Sequence, residues 1–393
     1  MAGSYIVAGA RTPIGKMSGA LASFSAADLG SIAIKAALER AGVSPNEVDH
    51  VIMGQVLMAG QGQVPSRQAA VKAGIPMSVP AINVNKVCLS GLNAIYLADQ
   101  MIQAGDADIV IAGGMESMTN APYIASGARG GFRYGNTELK DAIIADGLWC
   151  SFDSCLMGLG TERYTAGNIS RQQQDDLAMK SNQRAAAAIA AGRLADEIIA
   201  VSIPQRKGDP LVIANDEGVR GETTMDSLGG LKPAFDKDGT ITAANASQLS
   251  DGGSAVVMMS ERFVKDRGIK ALGQVVSYGM VAGPDNASLL TQPSRAILKA
   301  LNKVGMKVSD INLFELNEAF ATVGIASMAD LGISDDIVNV NGGAIALGHP
   351  IGMSGNRVAL TVLHELRRRG GGVGAAALCG GGGQGDAIIV RTV

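Results

Sequence analysis

The sequence predicts an α/β protein made of two similarly folded halves, with a loop domain inserted in the first. Three observations carry that reading. Strand-like apolar runs alternate with helix-periodic segments from Tyr5 to Ala112, and again from Ala255 to Val390, as in a sheet with helices on its faces. Between them, residues 118–248 lose the alternation and hold long irregular stretches, which in a compact protein are usually functional. A weak repeat relates the halves. Asn83-Val84-Asn85 precedes Ser90-Gly91, a helix, a strand and Gly113-Gly114, while Asn339-Val340-Asn341 precedes Ser354-Gly355, a helix, a strand and Gly380-Gly381. That order suggests two halves packed face to face. The expected division is 1–117 plus 249–268 for the first half, 118–248 for the loop domain and 269–393 for the second half.

Tyr5 to Ala8 reads as a strand, broken at Arg11-Thr12-Pro13-Ile14-Gly15. Ser25-Ala26-Ala27-Asp28 offers an N-cap for a helix through Glu39-Arg40, stopped by Gly42. Val48 to Gln55 reads as a strand, Ser66 to Lys72 as a helix, and Val79 to Val84 as a strand. Leu92, Ile95, Tyr96, Met101 and Ile102 recur at helical spacing, and Ala104-Gly105 closes that helix. Asp108 to Ala112 is the next strand. In the middle, Thr119–Gly135 and Cys150–Gly160 show no period. Helical patterns cover Thr161–Asn168 and Ser170–Ala191, the second opening on a near capping box, and Asp209–Gly239 is loop-like.

Regular grammar returns after Ser250-Asp251-Gly252-Gly253. Strands are expected at Ala255–Met259, Ala271–Gly279, Leu313–Leu316, Asp336–Val340, Val373–Leu378 and Ala387–Val390. Helices are expected at Ser294–Val304, from Asn317-Glu318-Ala319-Phe320 to Leu331, and at Ser354–Arg369. The last ends in three arginines and then Gly370-Gly371-Gly372, a strong stop.

Composition narrows the function. Hydrophobic residues make up 47% and charged residues 18% of 393, so a large core is expected and disorder is not. The net charge of −3, with no basic block beyond Arg367-Arg368-Arg369, gives no support to nucleic-acid or membrane binding. Four cysteines in no zinc or disulfide pattern argue for a reducing, cytoplasmic compartment. No apolar run is long enough to span a bilayer. Met1 to Val7 leads straight into a strand without a signal segment, and Arg391-Thr392-Val393 is not a peroxisomal address.

Four segments carry chemistry. Cys88 lies where a strand becomes a helix, and the helix N-terminus there is expected to favour a thiolate, the nucleophilic form. Taken alone, a free cysteine is more often a buried hydrophobe. His349, in Gly348-His349-Pro350, stands on a glycine-flanked loop before a helix, where an imidazole can take a thiol proton or donate to an oxyanion. The plain alternative is a structural loop histidine. Cys379 ends an apolar strand and opens a glycine run. Gly380, Gly382 and Gly385 fit G-x-G-x-x-G, but the run opens the terminal strand rather than a helix, so it is no dinucleotide fingerprint, and no Lys-Ser/Thr follows to make a P-loop. Such glycines let a substrate approach the backbone N–H groups. Asn317 can hold a water or substrate oxygen, or simply cap a helix.

Together these segments closely resemble the thiolase family. Cys88-Leu89-Ser90, Asn317-Glu318-Ala319-Phe320, Gly348-His349-Pro350 and Cys379-Gly380-Gly381 stand in the family's order, and Ala10-Arg11-Thr12-Pro13 and Asn245-Ala246-Ser247 extend the likeness over essentially the whole chain. The nearest look-alikes in that family are bacterial acetyl-CoA acetyltransferases. The resemblance implies two βαβαβαββ halves in five layers, αβαβα. It implies that Cys88 is the acyl-accepting nucleophile and that His349 activates it and helps form an oxyanion hole. Asn317 would hold a water completing that hole, and Cys379 would move the α-proton. The N–H groups of Cys88 and Gly381 would form a second hole. Coenzyme A would touch Arg220, Ser227 and Ser247, with Met157, Phe235, Ala319 and Phe320 lining its channel.

The implied reaction joins two acetyl-CoA into acetoacetyl-CoA plus CoA, reversibly, with no metal and no cofactor beyond the substrate CoA. The implied assembly is a homo-oligomer, a tetramer ahead of a dimer, with Thr119–Gly135 as the place to look for a tetramerisation loop. One departure concerns chain length: Leu156-Met157-Gly158 has Leu where some short-chain members carry His. A 3-ketoacyl-CoA thiolase of fatty-acid breakdown is the nearest rival, and a non-catalytic acyl-CoA or lipid carrier is the rival from another class. A decarboxylating condensing enzyme commonly has a second His where Cys379 stands.

Overall fold

The computed structural model describes residues 3–165 and 167–393. The first half contributes β1 (Ser4–Arg11), α1 (Ala26–Ala41), β2 (His50–Gly54), α2 (Pro65–Lys72), β3 (Ala81–Val84), α3 (Ser90–Ala104) and β4 (Ile109–Ser117). After α4 (Met157–Thr165) and α5 (Arg171–Ala190), the chain continues with β5 (Ser250–Ser260), β6 (Gly273–Ala282), α6 (Gln292–Lys303), β7 (Leu313–Leu316), α7 (Ala321–Leu331), α8 (Ser354–Arg368), β8 (Val373–Gly380) and β9 (Gln384–Thr392). Local signals set the ends. Ser25 and Asp28 form a full capping box on α1, and Gly42 ends it in the left-handed region. Ser170 and Gln173 do the same at the start of α5.

Among the described residues ten strands form one sheet, nine in the order β7-β8-β9-β6-β1-β5-β4-β2-β3, with Gly15–Lys16 beside β5. The order explains the repeat. From β1 outward, β5 and β4 pair antiparallel, then β2 and β3 parallel. From β6 outward, β9 and β8 pair antiparallel, then β7 parallel, then Val338 makes a parallel bridge to Phe314. The halves join edge to edge through Tyr5↔Gln274 and Ile6↔Gly273 of β1 and β6, and also face each other across a layer of helices.

Side-chain alternation along the strands builds those layers. Ile52, Val110, Val256, Ala376, Leu378 and Ile388 point to a shared core with Leu92 and Ile95 of α3 and Leu360 and Leu363 of α8. Their neighbours Val51, Ile111 and Val257 face α1 and α2, while Phe314, Ala377 and Ile389 face α6 and Leu331 of α7. The result is α, β, α, β, α. Helix α8 is buried on nearly every side from Ser354 to Leu366, as a middle-layer helix must be. Glycine makes the crossing of α3 and α8 possible. A Cβ at Gly91 would lie 2.8 Å from Asn356 N, and one at Gly355 would lie 2.3 Å from Leu92 N.

Residues 118–248 carry short hairpins, such as Trp149–Cys150 with Cys155–Leu156, besides α4 and α5. Buried Arg11 ties this stretch to β1, donating from Nε to Glu197 (2.7 Å) and bidentately to Asp216 (2.6 and 2.9 Å). Two expectations need correction. Helix α4 covers Met157–Thr165 rather than Thr161–Asn168, and part of the expected span, Ala166, lies outside the described residues. Asp336–Val340 is not a strand. Ser334 caps a 3-10 turn over Asp335–Ile337, and Asn339, at φ +46, turns the chain away. Its side chain pairs with both Leu316 N (2.9 Å) and Leu316 O (2.8 Å), taking the place of a strand backbone.

Candidate active site

Strand β3 ends at Val84 and α3 begins at Ser90, so Cys88 stands on the short loop between. Ser90 Oγ accepts from Lys86 N (2.8 Å) and donates to Val87 O (2.6 Å), and Asn85 Oδ1 accepts from Val87 N (3.1 Å). These bonds hold Val87 at φ +52, a region that β-branched residues rarely occupy and that persists only when surroundings over-determine it. The strained residue directly precedes the cysteine.

Cys88 opens onto a cavity of about 560 Å³, shared with His349, Cys379 and Gly381. Arg220, Ser247, Met157 and Phe235 also line it, as do Ala319 and Phe320. Phe235 and Phe320 meet edge to face with centroids 6.2 Å apart, and Ser247 N and Oγ both bond Ala319 O at 3.0 Å. Two expected residues are placed differently. Asn317 is fully buried behind the wall, its Nδ2 3.3 Å from His349 Nε2. Ser227 is exposed and outside the cavity, its hydroxyl donating to Thr224 O (2.7 Å) in the cap of its own short helix. Leu156 is on the cavity wall.

His349 is buried with Nδ1 2.7 Å from Ser354 Oγ. Ser354 spends its hydrogen on Pro350 O, at 3.0 Å, so it accepts from Nδ1–H. Nε2 is then the lone-pair nitrogen, and it takes the Asn317 amide hydrogen. Burial lowers the His349 pKa to about 3, with Arg357 adding to the effect. The ring is therefore neutral, with the Nε2 lone pair turned to the Asn317 amide. Asn317 Oδ1 is buried without a protein partner.

The thiols differ from expectation. The helix start was expected to favour a Cys88 thiolate, but burial pushes the Cys88 pKa up to about 12. The N–H groups of Cys88 and Gly381 pull it down less strongly, and Glu116 opposes them. A few aligned N–H groups do not repay the loss of solvation of a full charge. Cys379, at the end of β8, is pushed up as well, by burial and then by the nearness of Cys88. At rest the site holds thiols beside a neutral imidazole. The glycine run after Cys379 turns the β8–β9 hairpin, as its position before the terminal strand implied.

Several supporting residues escaped the sequence reading. Glu116 Oε2 accepts from Val56 N (2.9 Å) and Gly352 N (3.0 Å), and Oε1 from Leu57 N (3.2 Å). It thereby ties the loop after His349 to the loop after β2. Glu318 accepts from Ser181 Oγ (2.7 Å), Asn339 Nδ2 (2.8 Å) and Ile345 N (3.2 Å), which locks the segment carrying Asn317. The signal for Ser354 was in the repeat: it stands where Ser90 stands in the first half. Glu116 gave none, and Glu318 stood in the quoted Asn317-Glu318-Ala319-Phe320 segment without a role of its own, because their partners are distant in sequence. Among the described residues no group of three or more His, Cys, Asp or Glu is placed to hold a metal ion, and no helix is long and apolar enough to cross a membrane.

Comparison with known proteins supplies the family. Residues 4–262 match "Thiolase, N-terminal domain" and residues 269–392 match "Thiolase, C-terminal domain". A probable acetyl-CoA acetyltransferase of Mycolicibacterium smegmatis is 54% identical over 387 residues, covering 98% of this chain and 100% of the relative. The acetyl-CoA acetyltransferases of Cupriavidus necator and Pseudomonas aeruginosa are 51% and 49% identical, each over 98% of both chains. The chain belongs to the thiolase family and is an acyltransferase.

Proposed function

We propose that this chain is an acetyl-CoA C-acetyltransferase, joining two acetyl-CoA reversibly into acetoacetyl-CoA and CoA through an acetyl-Cys88 intermediate. The observation that carries it is the meeting of Cys88, His349 and Cys379 on one cavity, with the N–H groups of Cys88 and Gly381 directed at the Cys88 sulfur. The names of the full-length relatives support the same substrate.

The chemistry follows from the resting protonation states. His349 Nε2 takes the Cys88 proton as the sulfur attacks the thioester carbonyl. The Cys88 and Gly381 N–H groups face the oxygen that becomes negative. CoA leaves with the Cys379 proton, so Cys379 becomes a thiolate beside an imidazolium. That thiolate takes the α-proton of the second acetyl-CoA. The new enolate oxygen is met by His349 Nε2–H and by a water held on Asn317. The α-carbon attacks the acetyl group, and Cys88 leaves as thiolate and regains its proton from His349. Each thiol ends as it began, and no metal or further cofactor enters. Arg220, Ser247, Met157, Phe235, Ala319 and Phe320 would contact CoA from the cavity wall. Ser227 would reach CoA only where it extends beyond that wall.

The proposal includes a homo-oligomer, with a tetramer ahead of a dimer. Exposed Tyr123, Phe132 and Tyr134 on the 119–135 segment support it, and light scattering tests it. A cytoplasmic setting is proposed from four free cysteines. The deciding experiment is CoA-dependent thiolysis of acetoacetyl-CoA beside a medium-chain 3-ketoacyl-CoA, with Cys88→Ala as control. Cleavage confined to the four-carbon substrate and lost in the variant is the expected result. Preference for the longer chain would move the protein to fatty-acid breakdown. No cleavage of either would leave the carrier reading.

A further inference from the structure

The nucleophile loop and the Cys379 hairpin belong to different halves, and one ion pair joins them. Lys86 Nζ donates to both oxygens of Asp386, at 2.7 and 3.0 Å. Lys86 stands two residues before Cys88. Asp386 lies on β9 directly opposite Leu378, the residue before Cys379. The Asp386 side chain is fully buried and that of Lys86 is 19% exposed. Asp386 is fixed from behind, because buried Tyr278 of β6 donates to its Oδ2 at 2.8 Å. Tyr278 in turn packs on Tyr96 of α3, with ring centroids 4.6 Å apart. A rigid carboxylate on the Cys379 side thus anchors the strained loop on the Cys88 side.

Neither Lys86 nor Asp386 lines the cavity, and the bonds within the nucleophile loop hold its shape but not its distance from β8. The geometry points to Lys86 and Asp386 as positioning residues that set Cys88 against Cys379 for the condensation step. This rests on the reading of Cys88 as nucleophile and Cys379 as proton carrier. The step in which the pair matters is distinct. Acetylation of Cys88 needs His349 and the backbone N–H groups, and asks of Cys379 only a proton for the departing CoA sulfur. Carbon–carbon bond formation needs the carbanion made at Cys379 to lie in line with acetyl-Cys88.

Removing Lys86 alone would strand a buried carboxylate, whereas removing both charges is often neutral for folding. The test is therefore the double variant Lys86→Met/Asp386→Leu, with Lys86→Arg as the conservative variant. The readouts are the mass gain of one acetyl group on Cys88 from acetyl-CoA, steady-state thiolysis of acetoacetyl-CoA, and Tm. The double variant should lose far less acetylation than turnover, kcat for thiolysis falling roughly ten- to a hundredfold, as for ångström-scale misplacement, with KM changed less than about twofold. Lys86→Arg should keep both activities. Unchanged kcat in the double variant, or equal losses in acetylation and turnover, would overturn the proposal. If the double variant does not fold, Lys86→Gln is judged by the same ratio of acetylation to turnover. A wild-type protein that neither acetylates Cys88 nor cleaves acetoacetyl-CoA would instead overturn the underlying reading.

Discussion

Ser354 Oγ lies 2.7 Å from His349 Nδ1 and donates onward to Pro350 O, so a single hydroxyl decides which nitrogen of His349 carries the lone pair. Ser90, at the equivalent place in the first half, holds the Cys88 loop in the same way, through Val87 O and Lys86 N. The two catalytic loops are thus fixed by equivalent serines at the starts of α3 and α8.

Ser354→Ala should loosen the ring without unfolding the protein. Losing one hydrogen bond costs about 1 kcal/mol, or roughly fivefold in rate if it acts only through His349. The loss should appear in Cys88 acetylation as well as in turnover. Acetylation unchanged beside a Tm drop would make Ser354 merely structural.

Asn317→Ala removes the amide behind His349 together with the buried Oδ1 that has no protein partner. Removing one oxyanion-hole element costs roughly a hundred- to a thousandfold in kcat. Turnover should fall by that order while Cys88 acetylation falls much less, since its oxyanion faces other donors. Equal loss in both steps would place Asn317 elsewhere in the mechanism.

Gly380 and Gly381 adjoin Cys379 but should respond differently to alanine. A Cβ at Gly380 would lie 2.7 Å from Leu89 Cγ, whereas one at Gly381 meets nothing nearer than Val87 Cγ1 at 3.5 Å. Gly380→Ala should cost about 1–3 kcal/mol of stability, the usual penalty for overpacking, and displace the nucleophile loop. Gly381→Ala should keep the wild-type Tm, and its N–H with it. Equal melting temperatures for the two variants would contradict this packing.

Burial raises the Glu116 pKa from its ordinary 4.5 to about 7, with the bonds from Val56, Leu57 and Gly352 opposing the shift. The folded protein therefore binds this proton more tightly than the unfolded chain. The stabilisation is complete below about pH 4.5 and is lost as pH rises through about 7. Glu116→Gln is neutral throughout, so urea unfolding should show wild type losing stability relative to the variant across that window, by a few kcal/mol at about 1.4 per unit. Parallel stability profiles would show that Glu116 stays ionised at both ends.

Much of the fold was legible because its signals are local. Ser25 and Gly42 bound α1 where their capping chemistry says, and Leu313–Leu316 is the expected strand. Asp336–Val340 misled because its apolar content suits a strand, while Asn339 replaces the strand's backbone bonds with its side chain. Ser227 misled because a serine three residues after Thr224 serves its own helix cap.

The sequence by itself determined the α/β class, the two related halves and the family, because periodicity, capping and the four motif segments are each contained in a few consecutive residues. Only the tertiary structure decided that Cys88, Cys379 and His349 border one cavity and that Lys86 reaches Asp386. It also decided the charge states, turning an expected thiolate into a thiol and His349 into a neutral base. The reason is physical: a group's ionisation depends on how much water its surroundings exclude, and those surroundings come from segments hundreds of residues apart.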